Sequence, residues 1–245
     1  VATYDEIGTT YSTTRMPDAR IQALIERALG DAATVVNVGA GAGAYEPAGR
    51  EVVAVEPSSV MIGQRPPGSA PCLRASAEHL PLADGTFDAA MAILTVHHWD
   101  DLERGIAELR RVARRIVIMT WDAGYGESFW FTRDYARASI DFDNDRFPAI
   151  DRLADLLGPD AVIETVPVPH DCTDGFCAAF WRRPEAYLDP VVRAGISNFA
   201  LLEEELGEGI ERLRADLAGG AWHREHAALL AQDEIDIGYR IVRTA

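Results

Sequence analysis

Three alternating glycines, Gly39, Gly41 and Gly43, stand in the segment VVNVGAGAGA at 35–44 of this 245-residue chain. The apolar, β-branched run before them reads as a buried strand, and the glycines as the turn at its end leading into a helix start. Lacking Cβ atoms, such a turn lets backbone N–H groups come close to a ligand. At the end of the following strand-like run, EVVAV, stands Glu56, a carboxylate placed to accept hydrogen bonds from both hydroxyls of a ribose. Together the two features signal a nucleoside-containing cofactor. A second chemical pair, His97 and His98, closes the apolar run FDAAMAILTV. Imidazole has the pKa to take a proton from a hydroxyl or amine near neutral pH. Adjacent residues at a strand end face different ways, and His97 is the one expected to face the reacting group, with His98 its structural partner.

The order Gly39-x-Gly41-x-x-Ala44 also fits a dinucleotide fingerprint, so a nicotinamide cofactor is the competing reading. Against it, the chain contains no lysine, and a short-chain dehydrogenase needs a Tyr-x-x-x-Lys pair. Glu46, just beyond the loop, would also repel a pyrophosphate. The missing lysine further excludes P-loop, pyridoxal and kinase chemistry, each of which depends on that amine.

The net charge of −16 gives a surface that repels phosphate backbones and anionic lipid, so neither nucleic acid nor membrane is expected as a partner. The longest apolar run, at 88–96, is far short of the roughly 20 residues of a membrane span, and the opening VATYDEIGTT has no signal-peptide pattern. A cytoplasmic protein is therefore expected. Three cysteines, Cys72, Cys172 and Cys177, form no Cys-x-x-Cys pair. The loop group His170, Asp171, Cys172 and Cys177 has no standard ligand spacing, so no metal is expected; His223 and His226 read as exposed or capping residues.

These side chains need a scaffold. An amphipathic helix, DARIQALIERALG, ends at Gly30; strands follow at 34–38, 51–58, about 71–75, 87–96 and 114–122, with a helix over 101–113. The alternation predicts an α/β fold, a doubly wound parallel sheet with ligands beyond the carboxyl ends of its strands. Beyond residue 123 helices prevail at 124–157 and 175–231, with strands at 161–169 and at DIGYRIVRT. With no low-complexity linker, one domain is expected: an N-terminal cap and first helix (1–30), a cofactor-binding half (31–122), and an acceptor half (123–245) whose helical lid, about 171–231, is inserted before the last strand. Most second-half aromatics are expected in the core, while Trp121, Asp122 and Tyr125, at the end of the fifth strand, are placed to meet an acceptor.

VVNVGAGAGAYE, VAVEPS, ASAEHLPLADGTFDAA and ILTVHHW, in this order, resemble the successive motifs of class I S-adenosylmethionine (SAM)-dependent methyltransferases, nearest the small-molecule subgroup called type 11. The resemblance covers about residues 4–122 and implies a Rossmann-like methyltransferase sheet. It implies that Gly39, Ala40, Gly41 and Gly43 face the methionine part of SAM, that Glu56 holds the ribose, that Met61 packs on the adenine, and that Ser76, Ala77 and Glu78 lie beside the adenine's amino edge. The family more often has Asp where Ser76 stands. Thr95 and the residues after it fall between cofactor and acceptor. The pattern Tyr4, Tyr11, Arg15 is similar to one in which an aromatic closes the cofactor site and the arginine meets the methionine carboxylate. The implied activity is methyl transfer to an O, N or C nucleophile of a small, uncharged acceptor. Two alternatives stay open, a SAM-fold protein without methylating activity and a nicotinamide oxidoreductase; homodimer formation is also left open.

Overall fold

The computed structural model describes residues 15–244. The first helix, α1 (Ala19–Leu29), is capped by the Asp18 carboxylate, which accepts from Arg20 N, and it ends at Gly30, whose φ is 60°. There follow β1 (Thr34–Val38), β2 (Glu51–Val55), α2 (Ser59–Gly63), β3 (Cys72–Leu73), β4 (Phe87–Ile93), α3 (Leu102–Val112) and β5 (Ala113–Trp121). Three short helices, α4 (Trp130–Asp134), α5 (Ala138–Asn144) and α6 (Ile150–Leu157), lead to β6 (Val162–Thr165) and β7 (Val168–Pro169). The region before the last strands carries α7 (Pro190–Ala194), α8 (Ser197–Leu201), α9 (Glu203–Ala218) and α10 (Ala221–Glu225). The chain then forms β8 (Glu234–Ile235) and β9 (Tyr239–Arg243).

Seven strands form one sheet in the order β3-β2-β1-β4-β5-β9-β6. Pairing is parallel from β3 through β5, whereas β9 runs antiparallel to both β5 and β6. Side chains alternate between the two faces as strand geometry requires. Val35, Ala89, Met91, Val117 and Met119 join Ile21, Ile25 and Leu29 of α1 in one core. Val36, Ala90, Ala92, Ile116 and Ile118 join Leu109 of α3 and Leu153 of α6 in the other. Burial on both faces is why these strands read as unbroken apolar runs. The helical region packs its aromatics on the first core, with Phe131 stacked on Tyr187 at 3.8 Å between ring centroids.

The sheet and the helical insertion follow expectation; two local features do not. No helix follows the glycine turn: residues 39–50 run through successive turns into β2, since the segment is short, glycine-rich and interrupted by Pro47. The strand expected over 161–169 is broken in two, because Pro167 has no N–H to continue the ladder, and β7 pairs instead with β8 in a separate two-stranded sheet. Among the described residues no helix is long and apolar enough to cross a membrane.

Candidate active site

Strand order reverses between β1 and β4, and the crevice beyond their carboxyl ends is where an open α/β sheet takes its ligand. A cavity of about 460 Å³ occupies that position, within the 300–1,000 Å³ typical of small-molecule sites. Its floor is the glycine turn. Gly39 N and Ala40 N both donate to Val55 O, at 2.8 and 3.1 Å, which pins the turn to the end of β2. Gly39 has φ +73°, and a Cβ there would overlap the Thr95 side chain; a Cβ on Gly41 (φ +51°) would lie 3.2 Å from Met61 Cε. Glycine is thus required twice, once for the left-handed backbone and once for the close approach.

Glu56 is 5% exposed and lines this cavity. Its Oε2 accepts from Gly41 N and its Oε1 from Ser58 N, each at 2.8 Å. One carboxylate therefore joins the glycine turn to the start of α2, where Ser58 Oγ caps the helix by accepting from Met61 N at 3.2 Å. That cap sets Met61 beneath the turn. On the far wall lie Ser76, Ala77 and Glu78. Glu78 Oε1 accepts from Asp100 N at 3.0 Å, so this side chain braces the start of α3 as well as bounding the cavity. Glu46, expected to carry a bare negative charge beside the loop, is instead paired with Arg65 at 2.7 Å. With that charge compensated, it is the absence of a helix N-terminus after the loop that disfavours a pyrophosphate there.

A second, smaller cavity of about 60 Å³ adjoins the first, sharing Arg15, Leu94 and His98 with it. Leu94, at the junction, has φ +53°, a strained conformation for a branched residue and of a kind that clusters at functional sites. Trp121, Phe147, Phe176 and His97 wall the second cavity. His97 is stacked on Phe147 at 4.0 Å, its centroid 3.9 Å from that of His98. Burial, reinforced by nearby Arg146 and Arg15, holds the His98 imidazole down at about 4, and burial pushes His97 well below the usual histidine range. Both rings are neutral at neutral pH, as a proton acceptor must be.

Of the residues singled out from sequence, Arg15, Gly39, Ala40, Gly41, Gly43, Glu56, Met61, Ser76, Ala77, Glu78 and Thr95 all border the larger cavity. Tyr4 and Tyr11 lie outside the described residues. Of the histidine pair, His98 and not His97 reaches the larger cavity, because the 3-10 turn Val96–His98 rotates His97 away onto Phe147. Trp121 borders the smaller cavity, but Asp122 faces a separate surface groove. Tyr125 borders neither cavity and bonds Arg240 Nη2 at 2.7 Å. Arg15 binds Asp174 through Nε at 2.7 Å, a partner in the helical region that sequence reasoning missed. Sequence reasoning also missed Asp143 and Asn198, which meet in the smaller cavity. His170 and Asp171 point to different partners, the Asp233 carbonyl and Arg20.

Comparison with known proteins settles the kind of protein this is. A protein from Anabaena variabilis, described as a methyltransferase from an antibiotic biosynthesis pathway, is 38% identical, with 94% of this chain and 98% of that one covered at a TM-score of 0.87. This chain belongs to the SAM-dependent methyltransferases. The family profile described as a methyltransferase domain matches residues 36–118 of the enzyme, from β1 to within β5. A SAM-dependent methyltransferase of Thermotoga maritima, described as a possible histamine N-methyltransferase, shares the fold at 23% identity, with 66% of this chain and 76% of that one covered and a TM-score of 0.50. No curated protein matches the methyltransferase. Its methyl donor is SAM.

Proposed function

We propose that this methyltransferase transfers the SAM methyl group to an O, N or C nucleophile of a small-molecule acceptor held in the smaller cavity. The observation that carries the reading is that the two cavities share Arg15, Leu94 and His98 as lining residues, so a donor in one and an acceptor in the other would meet beside these side chains. The larger cavity fits the donor, because its glycine floor leaves room only for a ligand's approach and its buried Glu56 offers acceptor oxygens to ribose hydroxyls. Met61, with Ser76, Ala77 and Glu78, would enclose the adenine, and Arg15 would approach the methionine carboxylate. SAM supplies an electrophilic methyl on a sulfonium, so the protein's part is to align the nucleophile and exclude water.

His98 is the candidate proton acceptor. It borders both cavities and is neutral at neutral pH. Calorimetric titration with SAM, S-adenosylhomocysteine and NADH tests the cofactor assignment. Micromolar binding of the first two with none of the third is expected; NADH binding alone would mean that the glycine turn and Glu56 serve another ligand.

A further inference from the structure

The smaller cavity contains a buried acid that the donor side does not use. Asp143, on α5, is 3% exposed and borders the cavity. Its Oδ2 accepts from Asn198 Nδ2 at 2.8 Å, while Asn198 Oδ1 accepts from Phe199 N at 3.0 Å. The amide is thereby held in one orientation, and Oδ1 is the oxygen left for a ligand.

The charges around it restrict what that ligand can be. Arg15 is paired with Asp174 through Nε and Nη2 and, in the reading above, also serves the donor's carboxylate, while Arg146 stands at the exposed rim with its guanidinium 4.1 Å above the Phe142 ring. His97 and His98 are held neutral, and burial pushes the Cys177 thiol and the Tyr239 hydroxyl up, so they too are uncharged. Burial likewise raises Asp143, to about 7. An ammonium deep in this cavity has three donors to satisfy and finds one carboxylate oxygen not already taken by Asn198. A carboxylate finds only the paired Arg15 and the rim Arg146, so either ion would lose hydration that the walls do not restore. The walls are aromatic: Phe147 meets Trp121 edge-on at 5.5 Å, and Phe176 lines the same space.

From this geometry we propose that the acceptor is an uncharged aromatic compound bearing a hydroxyl, the hydroxyl entering the smaller cavity to hydrogen-bond Asp143 and the ring extending from it toward the junction with the larger cavity, bounded by Phe147 and Trp121, which stand at right angles to each other. The inference rests on the two-cavity reading given above and names the acceptor class for it.

The test is calorimetric titration of the intact protein, loaded with S-adenosylhomocysteine, with phenol, toluene, benzoate and benzylamine. Phenol is expected to bind at least about tenfold more tightly than the other three, the size of one hydrogen bond to a buried acid. Asp143→Leu should bring phenol down to the level of toluene while S-adenosylhomocysteine affinity is unchanged. The isosteric Asp143→Asn guards against misfolding, since its carbonyl can still accept from Asn198, and it should show an intermediate preference. A phenol preference that survives both substitutions overturns the role of Asp143. Tighter binding of benzoate or benzylamine, or no phenol binding at all, overturns the acceptor class. If the wild-type protein fails to bind S-adenosylhomocysteine, the cofactor reading falls first and this inference with it.

Discussion

Tyr45 Oη donates to Asp174 Oδ2 across 2.9 Å, and the other oxygen of the same carboxylate accepts from Arg15 Nε at 2.7 Å. Tyr45 follows the glycine turn, in a left-handed conformation with φ 62°; Asp174 belongs to the helical region and is 1% exposed. One carboxylate thus binds the segment before α1, the glycine turn and the insertion together. Tyr45→Phe should cost about 1 kcal/mol in urea unfolding, the net value of one hydrogen bond. Asp174→Ala should cost about 3 kcal/mol, because it strands a largely buried guanidinium. Both should weaken S-adenosylhomocysteine binding if the clamp holds the turn in place, and unchanged affinity would confine it to a stabilising role.

Gly39→Ala tests the cradle directly. The added methyl meets the Thr95 side chain and the backbone is left-handed, so SAM affinity should fall by at least about tenfold, with the cost shared between strain and lost cavity. Gly49→Ala is the control: it too has a positive φ, but nothing lies within 4 Å of its Cβ, so it should lose stability without the specific loss of SAM binding.

Glu56→Gln should weaken SAM by one to two orders of magnitude, which corresponds to about 1.5–3 kcal/mol for hydrogen bonds to a charged group. Calorimetry measures it. An unchanged dissociation constant would remove the ribose role.

For proton transfer, His98→Ala is expected to lower kcat by about 10²-fold, the low end for a general base because a ring held at about 4 is weakly basic, with SAM affinity retained, as read by S-adenosylhomocysteine release. Because His98 is held at about 4, the wild-type rate should show no loss attributable to this ring until the pH drops toward that value. His97, packed on Phe147 and away from the larger cavity, should matter less. If His97→Ala proves the more damaging of the two, the roles are reversed.

Two aspartates should give stability opposite dependences on pH. Asp18 accepts from the Arg20 side chain and from Thr173 N, with Arg20 the larger cause of its depressed pKa. Its contribution is therefore present above the ordinary value of 3.8 and lost as the pH falls below it. Asp143 is raised by burial to about 7, so its contribution is present below 3.8 and lost as the pH climbs through 7. Melting curves of wild type and Asp143→Asn should diverge on that rising limb, with the variant the flatter.

The strands around the larger cavity were legible because each is a short, unbroken apolar run closed by a recognisable residue: Gly39 after β1, Glu56 just beyond β2, Thr95 beyond β4. The second cavity was not. Its polar pair, Asp143 and Asn198, lies on two short helices far apart in sequence, with no spacing to reveal that they meet. The orientation of His97 and His98 depends on a 3-10 turn three residues long, too brief for any periodicity. Asp122 and Tyr125 were expected at an acceptor from the end of β5 alone, but Tyr125 is drawn to Arg240 on β9, a strand whose position beside β5 no local pattern announces.

That placement of β9 governs the order in which the fold can be completed. Because it lies between β5 and β6, β6 has no partner in the main sheet until residues 239–243 exist, and the whole helical insertion must be synthesised first. A nascent chain would carry the parallel core with an open β5 edge while β6 waits unpaired. Closing it then couples two events that the finished molecule hides: sealing of the sheet and docking of the region that bounds the acceptor cavity.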